Sequence, residues 1–256
     1  MLFRFFDTFL HESGVGMTAL YFKEIRSFLS SLQGYVFMGA FLSACALLLW
    51  LLPETRIQDS GYASLDPFFN YAPQLFLILI PAITMRSFSE EKKTGTLEVL
   101  MTLPLSRRAV VSAKYLAALS LAVLALIPTL VYVYTLYEMA DPRGNIDRGG
   151  IAGSYLGLVF LASAYTAAGL LASALTDNPL VALVGAVALC LFFTFGFEVL
   201  ADVPFLKPFS WPLIQLSLTE HYVSMSRGVI DTRDVVYFLS MNGIFLYLTM
   251  RALPGR

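Results

Sequence analysis

The chain has 256 residues, of which 57% are hydrophobic and only 14% are charged, and its net charge at pH 7 is −1. Soluble domains carry about a quarter charged residues, so this composition excludes an ordinary soluble protein and predicts an integral membrane protein. A net charge so close to zero gives no reason to expect a nucleic-acid partner, because such proteins carry a basic patch or stripe.

The first predicted element is an amphipathic helix that precedes the membrane domain. In residues 17–32, apolar side chains such as Leu20 and Phe28 recur at helical spacing, whereas Lys23 and Arg26 occupy positions between them. This pattern is typical of a helix that lies in the membrane interface. A solvated tail beside the membrane is the alternative.

Six later segments are long and apolar enough to cross a hydrocarbon core, which takes roughly 20 residues. Such spans are helices, because lipid offers no partner for an unpaired backbone N–H or C=O group, so the predicted fold class is all-α. The predicted spans are residues 34–52, 68–85, 110–137, 154–175, 179–200 and 235–250. With both termini in the cytoplasm, eleven of the 17 Lys and Arg residues lie on the cytoplasmic side, which favours this orientation.

A charged island, residues 85–114, separates the second and third spans. Ser87 and Glu90 have the spacing of a capping box, in which a hydroxyl and a carboxylate satisfy each other's unpaired backbone N–H groups. A second short helix is predicted over residues 96–103. Pro104 ends it, because the residue before a proline is pushed out of the α region.

The fourth and fifth spans are predicted to form a tight hairpin. Only residues 176–178 separate them, and Pro179 suits the start of a helix. Within the fourth span, Ala164, Ala168 and Ala172 recur every four residues. Small residues at this spacing favour close packing of helices over a substrate groove.

The segment before the last span, residues 201–234, is apolar but cannot form one continuous helix. Pro204, Pro208 and Pro212 interrupt it, and a proline inside a helix removes a hydrogen bond and clashes with the preceding turn. Short helices that dip into the outer leaflet, or re-entrant pieces packed against the bundle, fit both features. A disordered periplasmic loop is the alternative.

Several segments together resemble a known family. SFSEEKKTGTLE and the following residues up to Ser106 resemble the signature of ABC-2-type transporter permeases. Together with ALIPTLVYVYTLY, GNID, GSYLGL and SRGVIDTRDVVYFLS, they resemble the gliding-motility-associated permease subunit of that superfamily. The resemblance extends from about Met17 to Leu253, so residues 1–16 are an N-terminal extension and Met17 is a candidate initiator.

The resemblance implies an architecture like that of the type V exporters. Residues 17–33 form an amphipathic elbow helix at the membrane interface, and residues 34–253 form a single permease domain of six transmembrane helices. A cytoplasmic coupling helix lies between the second and third spans, and short membrane-dipping helices precede the sixth. The expected location is a bacterial inner membrane, with both termini inside.

The resemblance also implies the partners. Two permease halves, identical or different, would pair, and each coupling helix would dock on a separate ABC ATPase that binds ATP and Mg²⁺. An auxiliary membrane subunit of the gliding type is a further expected partner. The residues that would carry coupling are Glu90, Glu91, Lys92, Thr94, Gly95, Thr96, Leu97 and Glu98. The sequence contains no G-x-x-x-x-G-K-[ST] phosphate loop, so the chain itself is not the ATPase and no bound cofactor is expected.

Other function classes are weighed on the same residues. An intramembrane enzyme is disfavoured, because the G-x-S-x-G motif is absent and the two histidines, His11 and His221, lack the spacing of metal ligands. Cys45 and Cys190 lie in apolar runs and are predicted to be packed free thiols. No catalytic residue or metal site is therefore expected. A permease for copper-enzyme maturation and a non-transporting structural subunit remain as alternatives.

Ionisable residues near the membrane are candidates for a transport pathway or gate. Glu198 lies near the outer end of the fifth span, where it is either a gate or substrate contact or an interfacial cap near Asp202. Glu220 and His221, which precede the last span, are equally open between the two roles.

Overall fold

In the computed structural model, which describes residues 2–51, 64–102 and 105–253, every regular element is a helix. Side chains are described from Gly16 onward. The α-helices, in chain order, are α1 (Leu2–Leu29), α2 (Leu32–Trp50), α3 (Asp66–Thr84), α4 (Ser89–Lys93), α5 (Thr96–Thr102), α6 (Arg107–Leu126), α7 (Leu130–Met139), α8 (Arg148–Leu175), α9 (Pro179–Leu191), α10 (Phe197–Ala201), α11 (Ser210–Ile214), α12 (Leu218–Ser226) and α13 (Thr232–Ala252).

Six helical stretches in the described residues are long and apolar enough to cross a membrane, which confirms the six predicted spans. The first, fourth and sixth correspond to α2, α8 and α13, and the second, Asp66–Lys93, contains α3 and the short α4. The third is α6 followed by α7, joined by a 3₁₀ turn at Ile127–Thr129 that contains Pro128. The fifth is α9 and α10, joined by a π-helical turn at Phe192–Gly196. Leu52, the last residue of the predicted first span, lies outside the described residues.

Helix α8 is the centre of the bundle. In its most apolar stretch 83% of the residues are buried, and it packs against α3, α6, α9, α12 and α13. Ala164, Ala168 and Ala172 are all buried, as close packing requires. The interpretation of these small residues as packing positions is confirmed over that of a substrate groove, because neighbouring helices bury all three.

Gly153 of α8 packs so closely against the turn after α12 that a side chain would not fit there. A Cβ atom at Gly153 would lie 2.5 Å from the Met225 carbonyl oxygen and 2.9 Å from the Gly228 Cα. Because these are backbone atoms that cannot rotate away, we expect Gly153→Ala to lower the free energy of unfolding by about 1–3 kcal/mol. The control is Gly39→Ala on α2, where a Cβ meets no atom within 4 Å. Thermal unfolding in detergent should separate the two variants, and equal midpoints would contradict the packing.

The connection between α8 and α9 is as tight as predicted. Helix α8 ends at Leu175, and Pro179 is the first residue of α9. The Asn178 side chain caps α9 by accepting a hydrogen bond from the Leu180 backbone N–H at 3.0 Å.

Helix α1 differs from the prediction in its extent. It runs without a break from Leu2 to Leu29, so the backbone has no boundary between the predicted extension, residues 1–16, and the predicted elbow helix, residues 17–33. Residues 1–33 contain no proline that would end a helix there. The helix ends four residues before position 33, because Ser31 caps α2 instead by accepting a hydrogen bond from the Gly34 N–H at 3.1 Å.

The described side chains of α1 follow the amphipathic pattern. Leu20 is buried, whereas Lys23 and Arg26 are exposed. The Tyr21 hydroxyl lies 2.9 Å from the Ser120 hydroxyl, which ties α1 to α6.

Residues 201–234 form short helices, as predicted, with α11 and α12 separated by irregular turns. The aromatic side chains of Phe205 and Trp211 are 88% and 74% exposed. Large aromatic rings in such a position are typical of the membrane interface. Helix α12 is better packed: its Tyr222 hydroxyl donates to the Phe69 carbonyl at 2.7 Å, and burial raises the pKa of this tyrosine.

Candidate functional site

The charged island folds into a short helical hairpin at the end of the bundle where α3 ends and α6 begins. Helix α4 and helix α5 are its two arms. Gly95 joins them with a φ of +71°, a left-handed conformation that favours glycine because it has no Cβ. The Thr94 hydroxyl supports the turn by donating to the Glu90 carbonyl at 2.9 Å. Leu103 and Pro104, the predicted end of the second helix, lie outside the described residues.

The predicted capping box is wrong. Phe88 is the N-cap of α4, and no side chain of the hairpin caps the helix. The backbone N–H groups of Phe88 and Ser89 donate instead to the Ser173 hydroxyl oxygen on α8, at 3.0 Å and 3.1 Å. Ser173, which is distant in sequence, therefore accepts hydrogen bonds at the start of the helix in place of the predicted capping residues. The Glu90 carboxylate instead faces Arg86.

Helix α8 holds the inner side of the hairpin at two points. The Ser173 hydroxyl donates to the Met85 carbonyl at 2.9 Å, so one side chain makes three hydrogen bonds to the start of the hairpin. The Lys92 ammonium donates to the Ala174 carbonyl. That carbonyl lies at the C-terminal end of α8, where backbone acceptors have no partner within the helix and basic side chains are stabilising.

Lys114 of α6 is the most buried charge described. Its side chain is 1% exposed, and its ammonium lies 2.8 Å from a Glu91 oxygen and 3.0 Å from a Glu24 oxygen. It also donates to the Ser87 carbonyl at 2.7 Å and lies 5.2 Å from the centre of the Phe88 ring. All three ammonium protons therefore have an acceptor. This Lys114 cluster (Lys114, Glu91, Glu24 and the Ser87 carbonyl) connects α1, the hairpin and α6.

The eight predicted coupling residues divide into those that face the helical bundle and those that are exposed. Glu91 and Lys92 point inward to the contacts just described, and Leu97 is buried. The exposed residues are Glu90, Thr94, Gly95, Thr96 and Glu98. The outward face of α5 also carries Val99, which is 65% exposed and was not predicted. Its spacing is the signal that could have found it, since Val99 lies off the helix face that Leu97 shares with Leu100 and Met101.

Glu220 and His221, two candidates that are neighbours in sequence, lie in different surroundings. The Glu220 side chain is exposed, whereas His221 is buried. The His221 Nδ1 lies 2.7 Å from an Asp234 oxygen of α13, and its Nε2 lies 2.9 Å from the Gln215 carbonyl. Both ring nitrogens thus lie within hydrogen-bond distance of an oxygen atom. The ring also stacks on Tyr237 at 3.8 Å, so this His221–Asp234 pair joins α12 to α13.

Glu198 contacts the segment that leads into α12. Its carboxylate lies 3.0 Å from the Ser217 hydroxyl, which is also 2.7 Å from the Thr194 carbonyl in the π-helical turn. Thr219 donates to the same carbonyl at 2.9 Å. Since Ser217 has a single hydroxyl proton, it donates to one acceptor at a time. Through Ser217, these contacts connect Glu198 and the π-helical turn to the start of α12.

Both cysteines are buried free thiols, as predicted. Within the described ranges, no group of three or more His, Cys, Asp or Glu side chains comes close enough to hold a metal ion.

Comparison with protein families gives one match. A family model described as ABC-2 family transporter protein matches residues 13–248, a range that contains the hairpin, the Lys114 cluster and the His221–Asp234 pair. No curated protein matches the chain.

Proposed function

Since the chain belongs to the ABC-2 family of transporter proteins, we propose that it is the permease subunit of an ATP-driven transporter whose ATPase is a separate polypeptide. The sequence has no phosphate loop of its own. The energy source must therefore reach the membrane helices through a contact on their surface.

One observation carries the proposal: the α4–α5 hairpin is fixed on its inner side and open on its outer side. The inner side is held by the Lys114 cluster and by Ser173 and Lys92. The outer side presents Glu98 and the apolar Val99. A short helix held in this way transmits a displacement to α1, α6 and α8 instead of yielding locally.

In the proposed mechanism, the outer face of α5 docks in a groove of the ATPase subunit. Val99 supplies the apolar contact and Glu98 a charge that fixes the orientation. ATP and Mg²⁺ bind to the ATPase, and its closure and reopening move the hairpin. Two permease halves, each with its own hairpin, then expose a path between them alternately to the two sides of the membrane.

The finer parts of the proposal rest on the resemblance of the sequence motifs. We assign the chain to an exporter of the gliding-motility or secretion type in a bacterial inner membrane, with both termini and the hairpin in the cytoplasm. The spans hold few charges, which is compatible with lipid-like, peptide or protein-linked cargo. Purification of the complex from its host tests this assignment, because a gliding-type exporter should contain a large auxiliary membrane subunit beside the ATPase.

The docking face is tested with Val99→Asp. A buried charge at the centre of an interface is unfavourable, so we expect at least about a tenfold loss of co-purified ATPase subunit and of ATPase stimulation. Val229→Asp is the matched control, because Val229 is 71% exposed in the turn before α13 at the other end of the bundle. Unchanged co-purification of Val99→Asp would contradict the proposal.

A second variant tests the turn of the same hairpin. Proline fixes φ near −65° and cannot adopt the φ of +71° found at Gly95, so Gly95→Pro should distort the hairpin. Combined with Glu98→Lys, it is expected to abolish ATPase stimulation. A thermal unfolding midpoint within a few degrees of the wild type would show that the membrane domain itself is intact.

A further inference from the structure

A cleft of about 300 Å³ lies between α1, the start of α2 and the corner where α3 passes into α4. Lys23, Arg86 and Glu90 line its polar side, and Phe28 and Ile83 line its apolar side. Helix α2 begins at Leu32 and the neighbouring α3 ends at Thr84, so the cleft lies where two adjacent spans leave the membrane. A cleft with one polar and one apolar side at the ends of two membrane spans is accessible to lipid headgroups.

The charges around the cleft balance. Lys23, Arg86 and the nearby Lys114 supply three positive charges, and Glu24, Glu90 and Glu91 supply three negative ones. The net charge of the group is zero. Such a site does not select an anion over a neutral molecule, but it complements a ligand that carries one charge of each sign.

The charges at the mouth of the cleft are loosely paired. The Arg86 Nε lies 3.8 Å from a Glu90 oxygen, and the Lys23 ammonium lies 3.5 Å and 3.6 Å from oxygens of Glu24 and Glu91. These separations are too long for strong hydrogen bonds, whose N–O distances are about 2.7–3.2 Å. The Lys114 contacts, at 3.0 Å or less, are fully formed by comparison. The mouth therefore retains donors and acceptors for a ligand.

We propose that this cleft binds the headgroup of a zwitterionic phospholipid with a primary amine. The phosphate accepts hydrogen bonds from Arg86 and Lys23, and the ammonium donates to Glu90. The acyl chains follow the apolar side chains on the adjoining face of α2, where Leu32 is 80% and Val36 is 56% exposed. Because exposed apolar side chains adjoin the cleft, we expect a lipid with acyl chains as the ligand instead of a soluble phosphate compound. The cleft shares Glu90, Thr94 and Thr96 with the hairpin, but the docking residues proposed above, Glu98 and Val99, do not line it.

Native mass spectrometry of the full-length protein in mild detergent tests the proposal. The probes are phosphatidylethanolamine and phosphatidylglycerol with identical acyl chains. We expect the wild type to bind phosphatidylethanolamine more tightly, and Arg86→Gln to weaken that binding about tenfold, because a charge-assisted hydrogen bond to the phosphate is lost. Glu90→Gln should remove the preference, since it deletes the partner of the amine and leaves a positive site for the anionic lipid.

Arg108→Gln is the matched control, because Arg108 is an exposed arginine at the start of α6 that does not line the cleft. Both Arg86 and Glu90 side chains are about half exposed, at 45% and 51%, so their substitution should leave thermal unfolding unchanged. Equal binding of the two lipids by the wild type would overturn the proposal, as would equal lipid affinity of Arg86→Gln and Arg108→Gln. Soluble phosphoethanolamine binding as tightly as the lipid would exclude a role for the acyl chains and overturn it too.

Discussion

Replacement of Lys114 by methionine is expected to lower the free energy of unfolding by about 3 kcal/mol, because it removes the nearest cation from two largely buried carboxylates and leaves them only Lys23, at 3.5 Å and 3.6 Å. Methionine retains most of the aliphatic volume, so the loss would come from charge rather than from a cavity. Glu91 is the more buried of the two acidic partners, with 15% of its side chain exposed and its second oxygen without a hydrogen bond. The measurement is thermal or chemical unfolding of the purified protein in detergent.

A double-mutant cycle separates the ion pair from general damage to α6. Glu91→Gln in the Lys114→Met background removes the uncompensated charge, so the double variant should be less destabilised than the sum of the single variants. Lys93→Met is the control, because Lys93 is an exposed lysine on α4, where substitution effects are usually within about 0.5 kcal/mol. If Lys114→Met is as stable as Lys93→Met, the Lys114 cluster does not hold the hairpin.

Replacement of His221 by leucine should have an effect of similar size at the other end of the bundle. Asp234 is 4% exposed, and one of its oxygens already has no hydrogen-bond partner. Removal of the imidazole leaves this carboxylate buried and unpaired, so we expect a loss of about 3–5 kcal/mol. Limited proteolysis of residues 202–234, alongside thermal unfolding, would show whether α12 has separated from α13.

Two comparisons make this prediction specific. His221→Leu combined with Asp234→Leu should recover part of the lost stability, because both members of a buried pair are then apolar. Glu220→Gln should be close to neutral, since that side chain is exposed. A loss in Glu220→Gln equal to that in His221→Leu would return Glu220 to consideration as a functional residue.

The spans could be predicted from sequence because a membrane imposes a simple rule on length and polarity. The hairpin between α8 and α9 could be predicted as well, because proline is favoured at the first position of a helix and Pro179 follows a short polar segment. The same local reasoning failed at Ser87 and Glu90, where it proposed a capping box. Ser173 supplies the actual hydrogen bonds from more than 80 residues away in the sequence, and no local pattern reports such a partner.

The polar contacts that matter most were missed for the same reason. Lys114 was noted only as part of a charged island, because its partner Glu24 lies 90 residues earlier. Asp234 lies in the first turn of α13, a position where acidic residues are common, and its place in the sequence does not point to His221. The sequence shows that a charge is present in an apolar chain, but only the packing of helices shows whether that charge faces solvent or a partner.

The order of these partners along the chain has a consequence for how the protein assembles as it is synthesised. Glu24 and Glu91 both precede Lys114, so both carboxylates have already left the ribosome when the third span enters the bilayer. The lysine that this span carries meets its counter-charges on arrival. The His221–Asp234 pair, by contrast, closes only after the last span has been inserted. The members of the Lys114 cluster are therefore all present once the third span is made, whereas the hairpin still lacks its contacts to Ser173 and Ala174 of α8.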